Sequence, residues 1–242
     1  MVSQAVETSP RKLARVAGLW YALVTVFSIF GIVYADSRFY AAGDAAATAA
    51  KILADSALFR LGIVSNLAGQ ACQLFVGLAF YRLFKSVDRI QARTMLALVV
   101  AMVPIAFLNM LNKIAPLILL GDPAFAKVFD LAQLQTLALF FLELQKNGTV
   151  IVGLFWGLWL LPLGLLVLKS GFLPKIFGLL LILGCAGYLL DFFVALVFPE
   201  LRTTISPITT VSSTLAELPF MLWLLVVGAR NPTGEGTTTA AA

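Results

Sequence analysis

The chain predicts an all-α fold, a polytopic membrane bundle of six transmembrane helices, on three observations. Of its 242 residues 61% are hydrophobic and only 12% charged, against roughly 25% charged in soluble domains. The apolar residues come in blocks of about 20 or more, long enough to cross a bilayer, rather than in amphipathic stripes. Basic residues sit at the ends of those blocks, where they act as topology signals. Lipid offers no partner to a free backbone N–H or C=O, so the blocks are helices. None shows the alternation of a barrel strand.

Residues 1–13 read as a cytoplasmic N-terminal tail ahead of a transmembrane domain over 14–230. The first span, 14–35, follows Arg11 and Lys12, and its apolar core exceeds the roughly 7–15 residues of a signal peptide. Gly43-Asp44 then opens an alanine-rich run, which predicts a short helix at the membrane surface. Span two, 58–84, has Arg60 near its mouth. Its Asn66, Gln70 and Gln73 share one helix face.

Span three, 94–120, contains Asn109, Asn112 and Lys113, again on one face, followed by Pro116. Gly121-Asp122-Pro123 ends it. Residues 125–146 are apolar but broken by Asp130, Gln133, Gln135 and Glu143, and read as an interfacial or re-entrant helix before Asn147-Gly148. Both longer outer loops are therefore expected to hold short surface helices.

Span four, 149–168, has Gly153 and Gly157 at a GxxxG spacing, which predicts close helix approach and offers a face for a homo-oligomer. Span five, 176–198, contains Asp191. Span six, 208–229, contains Glu217 and Pro219. The Thr/Gly/Ala composition of 231–242 predicts a disordered tail.

The charges orient the bundle. With the N-terminus inside, ten basic residues fall on the cytoplasmic side and six on the other, and Lys113 lies within a span. That balance puts both termini in the cytoplasm. The lipid bilayer is the expected partner, and the net charge of +5, spread over span ends, does not point to nucleic acid. The chain has no His, and its two cysteines, Cys72 and Cys185, lie in apolar blocks. The usual ligands of zinc, haem and copper are thus missing, as is any CxxC pair, and no metal, cofactor or catalytic set is expected.

The residues that invite a function are the polar ones within the spans. A lysine at a span centre costs roughly 2.5–3.5 kcal/mol on insertion scales, so Lys113 needs a partner or a wet cavity. Counted from the outer span ends, Lys113, Asp191, Glu217 and Asn66 lie at similar depth, with Asn109, Asn112, Gln70 and Arg60 near them. Lys113 is expected to pair with Asp191 or Glu217. One cation against two carboxylates leaves negative charge, which suits a small cationic or amphipathic ligand in an outer-half pocket. Two alternatives stand beside a binding or transport protein. One is a structural or sensory membrane protein with a buried ion pair; the other is an intramembrane enzyme acting on a lipid, for which no motif is present.

The segment around Arg15, Ala17, Gly18, Leu19 and Tyr21, the stretch from Gly43 to Ser65, the turn SGFLPKIFGLLLIL (Ser170 to Leu183), Gly187 to Asp191 and a late ELPxxxWLL together resemble the bacterial integral membrane family known as domain of unknown function 4386. The resemblance runs from about Arg11 to Gly228. It implies six helices in a bacterial cytoplasmic (inner) membrane and names no catalytic or binding residue.

Overall fold

The structure, a computed structural model, describes residues 9–230. The segments 1–8 and 231–242, and with them most of the N-terminal tail and the C-terminal tail, lie outside the described residues. Six helices are long and apolar enough to cross a membrane: α1 (Pro10–Phe39), α3 (Ser56–Phe84), α4 (Arg89–Gly121), α5 (Leu131–Ser170), α6 (Lys175–Val197) and α7 (Arg202–Val226). Between α1 and α3 lies the short α2 (Ala45–Ala54), capped by Asp44, whose side chain accepts from the Ala47 N–H. A single turn of helix, Pro123–Ala126, sits between α4 and α5.

The spanning helices form a ring in which each packs on its neighbours in sequence, and α7 closes it against α1. Small residues allow the closest approaches. A Cβ on Gly18 would lie 2.6 Å from the backbone of Leu225, and one on Gly164 2.8 Å from the Gly178 carbonyl. The half of the ring nearer the two ends of the chain is solidly filled. Phe80 stacks on Phe220 at 5.9 Å and meets Tyr21, Phe84 and Trp159, around Met95, Leu160, Leu163 and Leu224. In the opposite half a smaller cluster of Phe39, Ile52, Phe59, Ile63 and Leu142 ties α2 to the bundle.

Two features depart from a set of plain spans. Residues 125–146 are not a separate surface helix: from Leu131 they continue without a break into the fourth span. The result is one helix of 40 residues, about 60 Å long. A capping box of Asp130 and Gln133 starts it, and Gly171, at φ 70°, stops it. Gly148 sits inside this helix rather than in a turn, at the roughly 1 kcal/mol that a helical glycine costs.

The second departure is in α1, which widens to a π-helix over Ile29–Ala35. Ser65 Oγ on α3 donates to the Phe27 carbonyl at 2.9 Å. It thereby occupies an acceptor just where the ladder changes from i→i+4 to i→i+5. Gly31 and Gly62 meet here, and a Cβ on Gly31 would fall 2.5 Å from Asn66 Oδ1.

Candidate functional site

In the half of the ring away from the chain's ends, the filling gives way to a cavity of about 460 Å³. Five of the six spanning helices build its wall, α3, α4 and α5 by ordinary helical periodicity and α1 through its π-helical turn. Ile32 and Asp36 come from α1, four apart; Asn66 and Gln70 from α3, four apart; Ala106, Asn109 and Met110 from α4. Gln145, Thr149, Val152 and Trp156 repeat at intervals of four, three and four along α5, with Lys146 beside them, and Arg202 opens α7.

The lining is graded along the bundle axis. Asp36, Lys146 and Arg202 lie toward the loops, Asn66 beside Gly31 and Asn109 beside Thr149 stand about a turn deeper, level with Ile32, and Ala106, Val152 and Trp156 form the floor. Gln70 is the polar exception at that depth, and its buried Oε1 has no hydrogen-bond partner.

Lys113, 3% exposed, makes an ion pair with Asp36. This corrects the expected pairing with Asp191 or Glu217. The expected first span ended at residue 35 and so left Asp36 in a loop, whereas α1 runs on to Phe39 and carries that carboxylate to Lys113. Asp191 instead accepts from Ser206 and Thr209, joining α6 to α7. Glu217 accepts from Tyr188 at 2.8 Å and from Tyr21, joining α7 to α6 and α1.

Of the eight expected site residues, Asn66, Gln70 and Asn109 lie on the cavity wall. Lys113 stands behind Asp36, and Asn112 donates to Asn109 Oδ1 at 3.3 Å. Arg60 is exposed, and Arg60, Asp191 and Glu217 lie outside the lining.

Asn109 is the most tightly held wall residue. Its Nδ2 donates to the Gln145 carbonyl at 2.9 Å and to Thr149 Oγ1 at 3.3 Å, and its Oδ1 would be 2.0 Å from a Cβ on Gly148. The glycine inside α5 is thus what admits the amide. At the rim, Lys146 lies 3.6 Å from Glu143 and over the Tyr40 ring. Tyr40 donates to Glu143; that carboxylate pushes the Tyr40 hydroxyl up to about 12, so it stays a donor.

Sequence reading missed Asp36, Gln145, Lys146, Thr149, Trp156 and Arg202. The 4-3-4 spacing of Gln145, Thr149, Val152 and Trp156, running straight across Asn147-Gly148, was the available signal for the α5 face. Gly153 and Gly157 also differ in use. A Cβ on Gly157 would lie 2.8 Å from Tyr188 Cβ on α6, whereas Gly153 has only Trp156 near, at 4.0 Å.

Six apolar helices closed into a ring, with polar groups turned inward, define a multi-pass membrane protein. The chain belongs to the family described as Domain of unknown function (DUF4386), whose model matches residues 16–228. No curated protein and no solved structure matches it.

Proposed function

We propose that the protein binds a small amphipathic molecule in the α1–α3–α4–α5–α7 cavity, from within a bacterial cytoplasmic membrane. The observation that carries this reading is the cavity itself, polar toward the loops and apolar at depth, in a bundle whose other half is close-packed. Its volume falls in the range of about 300–1,000 Å³ usual for small-molecule sites. The excess of basic residues at the termini side supports cytoplasmic ends, which puts the cavity in the outer half. Binding alone is the core of the reading, and transport would be an elaboration of it.

The test is water access and its blockade. With Cys72 and Cys185 replaced by Ala, a cysteine at Thr149 on the wall reacts with a membrane-impermeant thiol reagent added outside intact cells. A cysteine at exposed Ser86, in the turn between α3 and α4, reacts only after the membrane is opened. No reaction at 149 in a folded protein would mean a dry, closed interior. The structural reading, which the Asp36–Lys113 pair tying α1 to α4 favours, would then replace this one.

A further inference from the structure

The charges around the cavity do not cancel, and the side that is left over names the ligand's chemistry. Lys113 is matched by Asp36 and Lys146 by Glu143. Arg202 makes no ion pair among the described residues, yet it lines the cavity. One positive charge is therefore unanswered, at the loop end of the cavity. Lys146 and Trp156 are ten residues apart on α5, so the charged end and the apolar floor are separated by about 15 Å. The two carboxylates that would have favoured a cation are bonded to hydroxyls elsewhere, Asp191 to Ser206 and Thr209, and Glu217 to Tyr21 and Tyr188.

We infer that the cavity takes a monoanionic amphiphile, with its negative group at Arg202 beside Lys146 and its apolar body against Val152 and Trp156. A guanidinium suits this task because its fork of donors matches a carboxylate or phosphate oxygen pair. The lone Gln70 acceptor at depth is answered by water or by a hydroxyl on the ligand. The inference rests on the cavity being a binding site, and the experiment separates the two.

The purified full chain, in nanodiscs of zwitterionic lipid, is titrated with octanoate, octanol and octyltrimethylammonium while its thermal midpoint is followed. Wild type, Arg202→Gln, Arg202→Lys and Gln70→Phe are compared. The last fills the floor and removes the unpartnered oxygen, and its unliganded thermal midpoint is measured first to establish that it folds.

Octanoate is expected to stabilise wild type saturably, with octanol weaker and the ammonium weakest. Arg202→Gln should weaken octanoate about 10-fold or more, the loss of one hydrogen bond between charged groups, and leave octanol unchanged. Arg202→Lys should keep most of the octanoate effect. Gln70→Phe should abolish all binding. Adding anionic phospholipid to the disc identifies the source: competition with octanoate places a lipid headgroup at Arg202, and its absence a free amphiphile.

If octanol binds wild type but not Gln70→Phe, and octanoate gains nothing over octanol or loses nothing in Arg202→Gln, the anion inference falls while the cavity reading stands. Tighter binding of the ammonium has the same consequence. If no probe distinguishes wild type from Gln70→Phe, both fall.

Discussion

Gly148 sets the cavity wall by having no side chain. A methyl group there would overlap the Asn109 carboxamide, so Gly148→Ala must push Asn109 off the Gln145 carbonyl and Thr149. The expected cost is about 1–3 kcal/mol in unfolding free energy, despite alanine's better helix propensity. Gly153→Ala, with nothing nearer than 4.0 Å, should be neutral or slightly stabilising in the same denaturation assay. Asp36 and Lys113 make the other residue-scale case. Asp36→Asn strands a lysine only 3% exposed and should cost about 3–5 kcal/mol, whereas Lys113→Met leaves a carboxylate that is 29% exposed and should cost less. The double variant should recover much of that, a coupling readable in a double-mutant cycle. Lys113 announced itself in the sequence as a buried charge needing a partner. The partner did not, because Asp36 sits at a span end among loop-like residues, where a carboxylate carries no such signal.

Elements were legible where hydropathy was uniform and ambiguous where it was mixed. The spans holding Asn66 and Asn109 follow from their apolar runs. The stretch before Asn147 did not, since its polar residues and an Asn-Gly dipeptide read as a boundary. Of the polar residues there, Gln145 and Lys146 face the cavity, whereas Asp130, Gln133 and Asn147 are exposed, and helix packing overrides a local turn preference. The connections at the other face have their own chemistry. Asp88 caps α4 by accepting from the Ile90 and Gln91 N–H groups, and it pairs with Lys169 at 2.7 Å. Lys169, with help from those amides, holds its carboxyl below the ordinary carboxylate value. A carboxyl depressed on folding adds stability that is complete above the unfolded value, near 4. That contribution is lost as pH falls through the lower folded value. The wild-type thermal midpoint should therefore drop more steeply below about pH 4 than that of Asp88→Asn, measured across the same acid series.

The molecule as a whole has one half built for packing and one built around a space. Amide exchange should report the division. The α3, α5 and α7 segments around Phe80, Trp159 and Phe220 should be the slowest. The region from Asp36 through α2, and α5 ahead of Gly148, should open at lower free energy, because fewer apolar contacts must be broken there. Uniform protection across both halves would count against the division. Closing the ring also has a consequence for how the chain is made. Tyr21 and its carboxylate partner Glu217 are 196 residues apart, and at about 5–20 residues per second of synthesis the first helix waits on the order of 10–40 s for the last. Until then α1 has α3 on one flank and lipid on the other, with the Tyr21 hydroxyl unanswered. Closure of the bundle therefore waits for α7 to dock on α1, and a chain stalled before α7 should offer the membrane an unfinished seam.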